Sequence, residues 1–335
     1  MAGSGDAHLR PRDEVLLRVR DLVVEFPAGR GPGLALRGGR GPTVSAVAGL
    51  SFDLRKGETL GIVGESGCGK SSAARALVQL PPPRSGSVQL DGLELTALRG
   101  EALRRTRQRL QMIFQDPISS LNPRRRVRDI VGEGPRVWRL PGDRVDEVLE
   151  AVGLDPRTAA ERRPHEFSGG QCQRISIARA LILEPEVVIC DEPVSALDVS
   201  VQAQILGLLE DLKARYRLTL VFIAHDLAVV KNVSDRILVM YLGKVCELAP
   251  GTELVSRPAH PYTRALLASI PGGGAPPALP AADTLISGEP PSPVEPPSGC
   301  RFRTRCPRAT ERCSLEEPQI RQVGEDHWLA CHNPA

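Results

Sequence analysis

Gly64-Glu-Ser-Gly-Cys-Gly-Lys70-Ser71 is the stretch that decides the fold. It matches G-x-x-x-x-G-K-[ST], and its flanks suit the mechanism of that pattern. Thr59 to Val63 reads as a short apolar strand before it. A helix is expected from near Gly69 to about Leu80, stopped by Pro81-Pro-Pro83. Gly64, Gly67 and Gly69 let backbone N–H groups close around phosphate oxygens, and the helix N-terminus adds a favourable dipole. Lys70 reaches the terminal phosphates and the Ser71 hydroxyl ligates Mg²⁺. Ser66 and Cys68 are the intervening loop positions and Ser72 follows on the helix; all three belong to the expected phosphate-binding set.

Outward from that loop, Leu16 to Phe26 and Val44 to Leu54 read as strands, separated by the Gly-, Pro- and Arg-rich loop 27–43. Val187-Val-Ile-Cys190 and Thr219 to Ala224 are uninterrupted apolar runs, which suit a parallel sheet covered on both faces. Residues 98–109 read as a basic helix, and Glu147 to Gly153 as a helix ending at its glycine. Strands alternating with helices after a Gly-rich turn indicate an α/β core. The 335 residues, 41% hydrophobic and 25% charged, exclude a disordered chain. A net charge of +3 neither demands nor excludes an anionic partner. No run approaches the 18 or so apolar residues of a membrane span, and the N-terminal residues lack the apolar region of a secretory signal. A cytoplasmic protein is expected, in which eight Cys argue for metal or isolated thiols over disulfides.

Two further motifs narrow the chemistry. The strand Val187–Cys190 delivers Asp191 to the metal's outer shell. Glu192 then stands one residue further on, where it can polarise water. Phe167-Ser168-Gly169-Gly170-Gln171 lies 20 residues before Asp191 and resembles the LSGGQ signature of ABC ATPases, with Phe in the Leu position. Gln115 in Ile-Phe-Gln-Asp-Pro, Ser195-Ala-Leu-Asp198 and His225 complete the set in order. The resemblance implies an ATP-binding protein. Phe26 would stack on adenine, Gln115 would touch Mg²⁺ and sense a transmembrane partner, and Glu192 would be the general base. His225 would be the γ-phosphate switch, and Asp198 would couple two sites across a dimer. Ser168, Gly169, Gly170 and Gln171 would meet nucleotide held by the opposite subunit. Ser71, Gln115 and Asp191 would serve the Mg²⁺.

Met112 to Pro123, Pro164 to Gln171, Glu192 to Gln202 and Arg257 to Leu267 resemble the dipeptide/oligopeptide/nickel importer ATPases, and within them the second, "F" type. The resemblance implies an α/β fold: a P-loop NTPase core with a helical signature subdomain and a small Cys-containing C-terminal extension. The implied ATPase domain covers 14–256, with the helical subdomain at about 116–174, and the extension covers 257–335. It implies an ATP-hydrolysing motor on the cytoplasmic face of the membrane, peripheral to it. The implied partners are a sister ATPase, two permease subunits and, indirectly, an extracytoplasmic solute-binding protein, with no nucleic acid. A soluble ABC ATPase with a metal-cluster regulatory tail, or an importer of nickel or another small solute, is the alternative. Cys172 and Ser72 depart from the usual Arg and Thr and put local packing in question.

Nine Pro between 271 and 297 read as an extended linker. Cys300, Cys306, Cys313 and Cys331 follow, with gaps of 5, 6 and 17 residues. Four thiolates suit iron–sulfur or zinc alike, and the spacing lacks the short knuckle common in structural zinc. Relatives with a similar extension imply a 4Fe–4S cluster, with zinc or no metal at all as the alternatives. Arg301, Arg303, Arg305, Arg308 and Arg312 are read as solvated surface or as offsetting a cluster's charge, and His327 and His332 as substitute ligands.

Overall fold

A computed structural model describes residues 5–28, 43–140, 143–270, 286 and 288–335. The loop expected at 27–43 lies outside these except for its ends, as do 271–285 and 287 of the Pro-rich stretch. In chain order the strands are β1 (Leu17–Pro27), β2 (Thr43–Leu54), β3 (Thr59–Val63), β4 (Ser85–Leu90), β5 (Leu93–Glu94) and β6 (Leu110–Ile113). They continue with β7 (Val187–Asp191), β8 (Thr219–Ala224), β9 (Arg236–Tyr241), β10 (Lys244–Pro250), β11 (Arg321–Gly324) and β12 (His327–Leu329). The chain divides into two compact units. One comprises residues 1–55, 60–97 and 225–335, the other 56–59 and 98–224.

In the first unit β2-β1-β4-β5 form an antiparallel sheet. Leu17 and Val19 are buried at odd positions of β1, Leu22 and Val24 at even ones. The change of parity is made by a bulge at Asp21, which has φ 46° and donates its N–H to Ser51 Oγ at 2.9 Å. An extra residue in one strand flips every later side chain to the other face, so the bulge keeps both pairs in the core. The second set of strands runs β11-β12-β10-β9-β3. Here β3 and β9 are parallel, Leu60 opposite Arg236 through Val63 opposite Val239, and both are wholly buried, as continuous apolar strands require. Asp53 and Arg236 form a buried ion pair at 3.3 Å.

The C-terminal residues join this unit. Leu329 and Trp328 pair with Glu247 and Leu248 of β10, and Pro293 O accepts from Ser45 N of β2 at 3.0 Å. The end of the Pro-rich stretch thus satisfies an N–H at the start of β2. The helix after the phosphate loop covers Lys70–Leu77, shorter than its sequence suggests. Gln79 turns to φ 59° and Leu80 N reaches back to Arg75 O at 2.8 Å, closing the last turn before the prolines.

In the second unit β6, β7 and β8 run parallel, with Cys190 opposite Ile113 and Phe222. Every residue of β7 and β8 is buried, as their unbroken apolar runs predict. Between residues 117 and 159 the described residues form five short helices, two of them begun by Asp116 and Asp155, each followed by Pro. The helix expected at Glu147–Gly153 is Val145–Ala151, and Gly153 turns out at φ 76°. Two longer helices follow, Gly169–Leu181 and Val199–Tyr216.

Candidate nucleotide site

In the first unit β3 runs straight into the phosphate loop. A Cβ at Gly64 would stand 2.1 Å from Met240 O, and one at Gly69, which has φ 103°, 2.0 Å from Ala46 O. Both positions therefore require glycine, because backbone cannot yield to them. Lys70 is buried, and its Nζ donates to Gly64 O at 2.7 Å and Glu65 O at 3.0 Å. These carbonyl contacts hold the ammonium inside the loop's curve. Ser66 and Gly67 are exposed at its crest, while Ser71 and Ser72 are half-buried in the first turn of the helix. Cys68 is buried, and burial raises its thiol pKa, so it fills space as a neutral group. Gly243 N donates to Cys68 O at 2.8 Å, an anchor with no signal in the sequence. Phe26 is half-buried opposite Val44 on β2, two residues before Ala46, whose carbonyl abuts Gly69. His225 is exposed, just before Asp226, which accepts from Ala228 N at 2.7 Å and starts the next helix. A glycine-framed loop, a buried Lys and a helix N-terminus fit a nucleotide polyphosphate, and the Ser71 hydroxyl fits its Mg²⁺.

In the second unit Asp191 ends β7, 1% exposed. Glu192 takes φ 47°, an unfavourable conformation for a non-glycine residue, and its N–H donates to Ile223 O at 3.0 Å. That turn brings its Oε2 to Gln115 Nε2 at 3.0 Å. The structure thus joins Gln115 and Glu192, which lie 77 residues apart in the chain. Ser168 caps the helix Gly169–Leu181: its Oγ accepts from Gln171 N at 3.3 Å, and Gln171 Oε1 accepts from Ser168 N at 3.0 Å. A Cβ at Gly170 would lie 2.6 Å from Val201 Cγ1, on the next helix. Asp198 is exposed at the start of that helix. Side chains to which the sequence assigned no role of their own also shape this region. Gln202 Nε2 donates to Val194 O at 3.1 Å and Leu197 O at 2.9 Å, and Ser195 Oγ donates to Glu192 O at 3.1 Å. The Arg162 guanidinium lies 4.4 Å over the Phe167 ring, so the Phe in place of Leu gains a cation–π partner. Cys172 is accommodated: it is buried, with its thiol 3.5 Å from Pro164 O.

The tail corrects several expectations. A tetrahedral zinc draws four ligands to about 2.3 Å from one centre. Among the described residues no group of three or more His, Cys, Asp or Glu stands close enough to hold a metal ion, so neither the 4Fe–4S expectation nor its zinc alternative gains a metal-holding group. The four cysteines are nonetheless neighbours. Burial raises Cys331 to about 12, and the charges of Cys300, Cys306 and Cys313 add to the rise. Burial likewise raises Cys300 to about 11, with Cys313 and Cys306 contributing. His327 and His332 are engaged elsewhere, Nε2 of the first 2.6 Å from Glu247 Oε1 and of the second 3.0 Å from Glu316 O. Arg301 and Arg305 are each 9% exposed, not solvated, and hydrogen-bond to Ser45 and Glu65 respectively. Arg303 bonds Ser298 O and Arg312 bonds Glu316.

Residues 47–195 match the ABC transporter family, and residues 246–313 match the family of the oligopeptide/dipeptide transporter C-terminal region. The oligopeptide transport ATP-binding protein AppF of Bacillus subtilis is 48% identical over 95% of this chain and 97% of its own. OppF of Salmonella typhimurium, also named an oligopeptide transport ATP-binding protein, is 49% identical over 95% of this chain and 96% of its own. Among solved structures, cbiO1 of Clostridium perfringens, part of the transporter complex cbiONQ, aligns with TM-score 0.61 at 27% identity over 73% of this chain and 92% of its own. The ATP-binding cassette MJ0796, a dimer bound to ADP and Pi, aligns with TM-score 0.60 at 26% identity over 70% and 98%. The chain belongs to the ABC transporter ATP-binding family, in the branch that carries the oligopeptide/dipeptide C-terminal region, and is an ATPase coupled to transport.

Proposed function

We propose that this member of the ABC transporter ATP-binding family is the motor of an oligopeptide importer. It works with a sister ATPase on two permease subunits fed by an extracytoplasmic binding protein. The observation that carries the ATPase reading is the Gln115–Glu192 contact at 3.0 Å, which aims the base's carboxylate with an amide that can exchange it for a metal-bound water. The substrate class follows relatives named as oligopeptide transport ATP-binding proteins, which align along nearly the whole chain. Neither a soluble enzyme with a regulatory tail nor a nickel importer draws support from them. In this reading 14–256 is the ATPase domain, its helical subdomain at about 116–174, and 257–335 is the extension.

Lys70 and Ser71 hold phosphate and Mg²⁺, Glu192 takes the proton of the attacking water, and His225 reads the γ-phosphate. Ser168, Gly169 and Gly170 serve the nucleotide of the partner subunit, and the exposed position of Ser168 and Asp198 supports that assignment. No helix among the described residues is long and apolar enough to cross a membrane, which suits a subunit peripheral to the cytoplasmic face. Reconstitution with the neighbouring permeases and binding protein tests the reading. Peptide-stimulated ATP hydrolysis and peptide uptake are expected; stimulation by nickel chelates and not by peptide would replace the substrate.

The cysteines enter as part of the same reading. A 4Fe–4S cubane is held at separate corners, so its thiolates stand further apart than the ligands of one ion. Cys300 N donates to Cys313 O at 2.8 Å, which sets two of the four cysteines side by side. Iron and sulfide of about four each in anaerobically purified chain is the expected result, and their absence removes the cluster.

A further inference from the structure

Glu65, the second residue of the phosphate loop, is held through every polar group it has. Its N–H donates to the Tyr262 hydroxyl at 2.8 Å, and its carbonyl accepts from Lys70 Nζ at 3.0 Å. Its carboxylate accepts two bonds from Arg305, Nη1 to Oε2 at 2.7 Å and Nη2 to Oε1 at 3.1 Å. Tyr262 comes from the helix Pro261–Ala268 and Arg305 from the turn before Cys306, all within the same compact unit as the loop. Arg305 is itself fixed. Its guanidinium lies 5.8 Å from the Tyr241 ring centre, and Nη1 is 3.4 Å from the Tyr241 hydroxyl. Tyr241, Tyr262 and Phe302 pack together with ring centres 4.9–5.3 Å apart. Arg301 donates to Leu242 O and to Ser45 Oγ, so the same turn also grips the chain next to Met240 and Ala46, the two carbonyls that frame Gly64 and Gly69.

A carboxylate inside a phosphate loop opposes a polyphosphate, and at short range the repulsion is large where water is scarce. A bidentate guanidinium cancels that charge and fixes its direction, which an ammonium cannot do as well. We propose that Arg305 is a positioning residue for the nucleotide: from the C-terminal extension it neutralises Glu65 and, with Tyr262, holds the phosphate loop in its binding shape, so that the extension sets the affinity for Mg-ATP. The proposal rests on the reading of Gly64–Ser71 as the nucleotide site.

Equilibrium binding of a fluorescent Mg-ATP analogue to the full chain tests it. Arg305→Ala is expected to weaken binding about tenfold, a difference of about 1.4 kcal/mol. Arg305→Lys, which keeps the charge and loses the fork, falls between it and the unaltered chain. The double variant Glu65→Gln with Arg305→Ala recovers most of the lost affinity, because the carboxylate that needed neutralising is gone. Glu65→Gln alone, which leaves Arg305 in place, binds at least as tightly as the unaltered chain. Unchanged binding by Arg305→Ala overturns the proposal. So does a loss that Glu65→Gln does not restore, since that pattern marks a merely structural contact, and so does a tenfold loss in Glu65→Gln alone. Lys70→Ala separates the two levels: if it binds the analogue as well as the unaltered chain, the site reading fails and the clamp fails with it.

Discussion

The helix Lys70–Leu77 begins after Gly69, at φ 103° and without a side chain to cap it, whereas Gly169–Leu181 begins after Ser168, which exchanges two hydrogen bonds with Gln171. Both starts are rich in glycine and both suit an anion. The first has no side-chain cap and is shaped from outside, by Met240 O, Ala46 O, Tyr262 and Arg305. The second satisfies the N–H groups of Ser168 and Gln171 through a capping box and presents Ser168 at the surface. The glycine-framed helix end is built by tertiary packing, whereas the capped one is held by its own neighbours in sequence.

The largest expected effect breaks hydrolysis while leaving the phosphate loop whole. Glu192→Gln should retain Mg-ATP binding and lower turnover in the assembled transporter by about 10²–10⁴-fold, the usual worth of a general base. Turnover near that of the unaltered protein would remove Glu192 from that role. Next, the two helix starts should differ in their tolerance of one methyl group. At Gly69 a Cβ meets backbone at 2.0 Å with φ 103°, whereas at Gly169 the nearest atom is Leu197 Cδ2 at 3.5 Å. Gly69→Ala should cost about 2–4 kcal/mol of stability and Gly169→Ala about 0.5 or less. Thermal unfolding of the two variants checks this, and equal losses would erase the distinction.

A pH titration sharpens the external side of the comparison. His260 Nδ1 accepts from Tyr262 N at 3.0 Å, capping the helix that presents Tyr262 to Glu65. Burial lowers its pKa to about 4 from 6.5. Between those values the unfolded chain binds the proton and the folded chain does not, so stability falls as pH falls from 6.5 toward 4. The slope is at most about 1.4 kcal/mol per pH unit for this one group. Protonation would also turn Nδ1 from acceptor to donor and undo the cap. Denaturant midpoints across that range should fall, and His260→Gln should flatten the fall; an unaltered slope would exclude His260 as its source. The smallest effect belongs to the self-capped helix. Ser168→Ala should cost about 1 kcal/mol, the worth of an N-cap. Combined with Gln171→Ala it should cost little more, because the box works as a pair. Additive losses would show that the two side chains act separately.

The sequence exposed what depends on local chemistry. Glycine spacing placed the phosphate loop, and unbroken apolar runs located β7 and β8. It did not expose the Asp21 bulge, because alternation on each side of it reads as a regular strand and only the change of buried face reveals the extra residue. Nor did it show that Gln115 reaches Glu192, since the positive φ at Glu192 that aims the carboxylate is set by the Ile223 carbonyl on a neighbouring strand. The tail was the least accessible. Arg301 and Arg305 look like surface charges in a run of arginines, and their burial depends on the Glu65 carboxylate and the Ser45 hydroxyl, each more than two hundred residues away, and on the Leu242 carbonyl about sixty residues away.

By itself, then, the order of residues determined that this chain carries a phosphate loop, a buried strand ending in Asp191 with Glu192 just beyond it, and a signature helix, because each is written in neighbours a few positions apart. Only the tertiary structure decided that the C-terminal extension adds β12 to β10 and brings Arg305 to Glu65. The physical reason is that a charge is stabilised by whatever opposite charge the fold carries to it, and nothing within a few residues of Arg305 records that the fold will bring it a carboxylate from the phosphate loop.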